Sequence, residues 1–182
     1  TRPDLTTAIS VLETLIDRWT IAADKALIRT FRYAWSTVHY VLVGIVSTRD
    51  IDIARPLGNP DASLNVPRLG LRTRLGSLMF IVGRFTLYPV KWKSKAAKTN
   101  MCSTMEAEGA SLLDTVKDEL TMADYVQLSL LQRRNGISSR EDNSPLVSVL
   151  RKGGVSGAIL HARRSHGLRL AHNADIFARD GN

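Results

Sequence analysis

Apolar residues change their rhythm along the chain, and each change predicts a different element. Near the N-terminus Ala8, Ile9, Leu12, Leu15, Ile16 and Trp19 recur at three- and four-residue intervals. That spacing is one stripe of an amphipathic helix over 6–19, and Asp4 or Thr6 stands where its cap belongs. Leu27, Ile28, Phe31, Ala34 and Trp35 predict a second helix, with Lys25, Arg29 and Arg32 off its apolar face, so the two read as a helical hairpin. Residues 38–46 are apolar and partly β-branched, and the polar run Ser47-Thr48-Arg49-Asp50 closes this first region. Beyond it the period drops to two. Ile51 to Leu57 alternates weakly as a strand. Gly58, Pro60, Pro67 and Gly70 make 58–72 turn-rich, and Leu75 to Val82 and Thr86 to Trp92 predict two strands joined as a hairpin at Gly83-Arg84.

The helical period returns at Ser103-Thr104-Met105-Glu106, a capping box with a serine at the cap and a glutamate three residues on. Leu112, Leu113, Val116 and Leu120 form the buried stripe of that helix, and Ala123, Val126 and Leu130 extend it. Asn135-Gly136 ends it, a short strand fits Gly136 to Glu141, and Leu146 to Leu150 begins another helix with Pro145 in its first turn. Gly153, Gly154 and Gly157 break that helix. Residues 158–178 read as one or two last helices with Arg163, Arg164 and Arg169 on a basic face. The order is two helices, then β-β-β-α-β-α-α, which predicts an α/β fold: a mixed sheet with helices packed on it.

Charge sharpens this picture. The formal net charge is +8 and the pI about 10.1, which favours a polyanionic partner: nucleic acid first, an anionic membrane surface second. Cys102 is the single cysteine, so an intrachain disulfide and a cysteine-based zinc site are excluded. His39, His161, His166 and His172 fall in no metal-ligand motif. No segment reaches the ~18 consecutive apolar residues of a membrane span, so no membrane-spanning segment is expected. Thr1-Arg2-Pro3-Asp4 is no signal peptide and reads as the start of a piece of a longer chain, intracellular and either cytoplasmic or nuclear.

Acids stand where this order brings them towards one end of a sheet. Asp61 follows the first strand, Glu106 and Glu108 lie in the first turn of the main helix, and Asp142 follows the short strand. Carboxylates from several elements are what hard cations require, and two ions ~3.5–4 Å apart activate a water and stabilise the leaving oxygen of a phosphodiester. The same residues also fit plainer roles, since acids in a first turn complement the helix dipole and Asp-Asn-Ser before a helix caps it. Periodicity leaves open which glutamate is involved, because Glu106 and Glu108 flank the Leu112/Val116 stripe on opposite sides.

Short runs in a fixed order then carry a resemblance. Thr1-Arg2-Pro3-Asp4-Leu5 is similar to a TRPDI run, Lys25-Ala26-Leu27 with Phe31-Arg32-Tyr33 to KALKRVLRYL, and Leu57-Gly58-Asn59-Pro60-Asp61-Ala62-Ser63 to GYSDAD. Arg74-Leu75-Gly76-Ser77 lies where a TSGY-like strand begins, and Val90-Lys91-Trp92-Lys93-Ser94-Lys95 is close to ISWKSKKQ. Ser103-Thr104-Met105-Glu106-Ala107-Glu108 matches SSTEAE, Glu141-Asp142-Asn143-Ser144 the CDN or EDN tripeptide, and Arg164-Ser165-His166 an R-(S/T)-K-H run. Together these resemble the C-terminal end of the Pol polyprotein of copia-type retrotransposons.

The resemblance implies that residues 1–46 are the helical end of a reverse transcriptase, without its polymerase motif, and that 52–182 is a ribonuclease H-like domain. It implies a nuclease that cleaves RNA in RNA–DNA hybrids with two Mg²⁺ ions held by Asp61, Glu108 and Asp142. Lys91, Lys93 and Lys95, alternating with Trp92 on one strand, and Arg163 and Arg164 would contact nucleic acid. The chain also departs from the pattern. Leu168 stands where a fourth acid belongs, with His172 one turn beyond. Pro60 precedes Asp61, where it removes a ladder N–H from a central strand. Gly109 replaces a tyrosine, Ile137 to Arg140 replaces a more apolar strand, and Arg68-Leu69-Gly70 replaces a DR-K stretch. These departures imply a copy that has drifted, or one recruited as a non-catalytic module for nucleic acid or a host protein.

Overall fold

A computed structural model describes residues 2–64, 72–126 and 136–153. Its helices are α1 (Thr6–Glu13), α2 (Ile21–Ser36), α3 (Thr104–Val126) and α4 (Ser144–Arg151), and its strands are β1 (Arg55–Ser63), β2 (Arg74–Val82), β3 (Leu87–Ala96) and β4 (Ser138–Ser139). The strands form one sheet in the order β3-β2-β1-β4. β1 to β3 are an antiparallel meander, while β4 lies parallel to β1. A parallel neighbour needs a crossover connection, and α3 supplies it. The fold is therefore α/β, a mixed four-stranded sheet flanked by helices, as the alternation of periods predicts.

Three expectations about boundaries are corrected. The first helix stops at Glu13, not near residue 19. The Thr14 hydroxyl donates to the Val11 carbonyl at 2.7 Å, and a single 3-10 turn at Ile16–Arg18 follows. α2 then starts cleanly because the Thr20 side chain accepts from the Ala23 amide. The first strand begins four residues later than its weak alternation suggests and runs through Gly58 and Pro60, which the sequence reads as turn. The last strand narrows to two residues, with Ile137 buried in the core beside it.

Pro60 fits because of where β4 ends. The Gly58 carbonyl accepts from the Arg140 amide at 2.8 Å, so alternate backbone groups of β1, including the Pro60 nitrogen, aim at the β4 side. β4 stops at Ser139, and no ladder bond to β2 is lost.

Strand alternation sends one set of side chains to each face of the sheet. α3 covers the face carrying Gly58. A Cβ at that glycine would collide with the Glu119 carboxyl and come within 2.6 Å of Thr115 Cγ2. The apolar core lies here: Leu75, Met101, Leu112, Val116, Ile137 and Leu146 are buried together, with Leu113 and Leu120 packed at its margin. α1 covers part of the other face, and Arg74 of β2 donates to the Ser10 hydroxyl. The β2–β3 turn is held from residues before β1. Buried Asp50 accepts from the Phe85 amide at 2.6 Å, and Ile45 bridges Leu87. Burial opposes ionisation of Asp50, but the Phe85, Thr86 and Arg84 donors outweigh it and hold the carboxyl below the usual range.

Candidate acidic site at the sheet edge

The start of α3 decides which glutamate belongs to the cap. The Ser103 hydroxyl accepts from the Glu106 amide at 3.2 Å, and the Glu106 carboxylate accepts from the Cys102 amide at 2.7 Å. Glu106 thus serves the helix terminus, its reciprocal bond falling one residue before the cap serine. Glu108 is the acid that faces the sheet. It is 5% exposed and accepts from the Ala62 amide at the end of β1.

Burial, and then the charges of Glu141, Asp61 and Asp142, push the Glu108 carboxyl up to about 7. The three expected acids therefore share one electrostatic neighbourhood, and Glu141 is a fourth member that the sequence reading missed. Glu141 is also pushed up, by burial first, although its carboxylate accepts from the Asn143 amide at 3.0 Å. Its signal was its place directly before Asp142. Asn143, not Asp142, caps α4: its side chain accepts from the Leu146 amide at 3.0 Å. Asp142 stays exposed and is free of the capping role that its position allowed.

The acids do not close on one point. Asp61 occupies an odd position of β1, opposite Gly76, and lines a cavity of about 1040 Å³ on the α1 face with Arg72, Arg74 and Ser94. Glu108 approaches from the α3 face, so the strand's own alternation separates them. Among the described residues no three His, Cys, Asp or Glu side chains stand together closely enough to hold a metal ion. The donor chemistry nevertheless suits a hard cation. Glu108 Oε2 and Glu141 Oε2 are buried carboxylate oxygens without a hydrogen-bond partner.

The lysines share one strand face, as their alternation predicts, but that face meets α3. Lys91 pairs with Asp118 at 2.8 Å, Lys95 with Asp114 at 2.8 Å, and Lys93 with both acids. Burial opposes ionisation of Asp114 and Asp118, yet these lysines hold both carboxyls below the usual range. A phosphate-tracking role for the lysines would compete with these pairs. Trp92 is half-buried on the opposite face. Arg163, Arg164, His166, Leu168 and His172 lie outside the described residues.

The sequence reading also missed a buried polar row on α3. Ser111 donates to the carbonyls of Asp61 and Gly76 at 2.9 and 2.8 Å, and Thr115 bonds the Ser111 carbonyl at 2.8 Å. Glu119 accepts from the Ser139 hydroxyl at 2.6 Å. These residues recur every fourth position, the same spacing as the leucine stripe beside them, and only their polarity hid them.

Compared with known proteins, the chain matches no family model, no curated protein and no solved structure. Among the described residues no helix is long and apolar enough to cross a membrane.

Proposed function

We propose that this chain is a ribonuclease H-like domain of a copia-type retrotransposon polyprotein, built to cleave the RNA strand of an RNA–DNA hybrid with two Mg²⁺ ions. The observation that carries this reading is that the charges of Asp61, in β1, and of Asp142, just ahead of α4, act on Glu108 of α3 at one end of a mixed sheet. Negative charge gathered around Glu108 raises its proton affinity, an arrangement that favours a cation. Asp61, Glu108 and Asp142 would hold the ions, with Glu141 beside them, and the ions would supply the activated water and stabilise the leaving oxygen. Glu108 must lose its proton before it can ligate, so cation affinity rises with pH through about 7.

One observation favours a second reading, a non-catalytic module that binds nucleic acid or a host protein. The acids of the described residues are not gathered into a ligating group. The experiment that separates the readings is incubation of a labelled RNA–DNA hybrid with Mg²⁺ or Mn²⁺, beside an Asp142→Asn control. Hybrid-specific cutting that the control abolishes establishes the nuclease. Salt-sensitive binding without cutting establishes the module.

A further inference from the structure

Glu119 takes no part in the acidic site, yet it is fully buried, at 0% exposure. One of its oxygens accepts from Ser139 at 2.6 Å, and the other, Oε1, has no side-chain partner. It fills the space left by the missing side chain of Gly58, so it touches β1 and β4 at the point where they pair. β4 is two residues long, and Glu141 and Asp142 follow it after Arg140.

We infer that Glu119 is a positioning residue: through Ser139 it ties β4 to α3 and β1, and so sets where Glu141 and Asp142 stand relative to Glu108. This rests on the reading of those acids as a cation site. A two-residue ladder gives little pairing of its own, and a buried side-chain bond at its centre adds what the ladder lacks. The tie is sensitive to protonation. On α3 the neighbouring charge is Asp118, already engaged by Lys91 and Lys93. The face of β1 towards α3 carries the uncharged Pro56, Gly58 and Pro60, and β4 adds Ser139, with Arg140 exposed beyond it. No cation compensates a Glu119 carboxylate from these strands. Burial pushes its carboxyl up to about 7 despite the Ser139 bond. The neutral form accepts from Ser139 without a stranded charge, whereas the ionised form favours release of β4.

The test compares the full chain with Glu119→Gln and Ser139→Ala. Glutamine keeps the acceptor without the charge, and Ser139→Ala removes the donor from the other side without disturbing α3. Amide exchange at Arg140, whose N–H bonds Gly58, reads the tie directly. In the parent chain its protection should fall as pH rises from about 6 to about 8, beyond the intrinsic pH dependence of exchange. Glu119→Gln should remove that extra fall, and Ser139→Ala should lower protection throughout. Mn²⁺ affinity should weaken about tenfold in Ser139→Ala, as for other residues that orient ligands, and hold in Glu119→Gln. Arg140 protection unchanged in Ser139→Ala, or an equal pH response in Glu119→Gln and the parent, would overturn the inference. If the parent chain binds no Mn²⁺, the cation-site reading fails, and exchange at Arg140 still decides whether the tie exists.

Discussion

Compare Glu108 and Glu119, two of the buried glutamates of α3. Near the helix start Glu108 sits against the Ala62 amide, with Glu141, Asp61 and Asp142 within electrostatic reach. Further along the same helix Glu119 lies over Gly58 and accepts from Ser139. Both carboxyls are pushed up to about 7, with burial as the leading cause. They differ in what surrounds them. Each has a buried oxygen without a partner, but Glu108 has acids from two other segments around it, whereas Glu119 has a hydroxyl and a neighbouring Asp118 that lysines already neutralise. The same shift therefore has two meanings. At one end it reports a place where positive charge would be welcome, and at the other a buried group that is comfortable only with its proton.

The comparison can be broken most forcefully at Gly58. Gly58→Val would drive a side chain into the Glu119 carboxyl and Thr115, and should destabilise the fold by about 3 kcal/mol, measured by urea unfolding. A corresponding change at Gly76, whose nearest backbone contacts are 3.5 Å or more away, should cost less.

Titration comes next in size. Both glutamates titrate higher in the fold than the ordinary value of 4.5. Protons are then bound more tightly by the folded chain, so the stability they lend is fully present below about 4.5 and is lost as pH rises through about 7. Glu119→Gln should reduce that loss by about 2 kcal/mol, read from unfolding midpoints across the range. Glu108→Gln should reduce it by less, about 1 kcal/mol, because exposed Asp61 and Asp142 act on it partly through solvent.

Cations should separate the two ends. Mg²⁺ or Mn²⁺ should raise the thermal midpoint of the parent chain above pH 7 and of Glu119→Gln, but not of Glu108→Gln, as followed by thermal shift. A rise that survives Glu108→Gln would remove Glu108 from the site.

The smallest effects belong to the strand lysines. Lys93→Ala should cost about 1 kcal/mol, because Lys93 serves two carboxylates and is only 19% exposed. Lys91→Ala, at 48% exposure, should cost less than about 0.5 kcal/mol and vanish in high salt. If either variant weakens hybrid binding far more than it changes stability, the pairs with α3 open on binding.

Much of this molecule could be read along the chain. The leucine stripe, the Ser103 cap, the β2–β3 hairpin and the alternation of helix and strand are properties of neighbours in sequence, and they follow from local periodicity and capping. Asp61 and Asp142 were candidates in the same way, since each closes or opens an element, but periodicity left Glu106 and Glu108 open and only the resemblance pointed to Glu108. What the sequence alone did not determine depends on which surfaces meet. Gly58 and Pro60 read as turn until α3 needs close approach over one and β4 ends beside the other. Lys91, Lys93 and Lys95 read as a nucleic-acid face until that face receives Asp114 and Asp118. Nothing along the chain singles out Glu119, and only the sheet that closes over it buries it. Burial, charge compensation and the separation of Asp61 from Glu108 are relations between distant segments, so only the tertiary structure decided them.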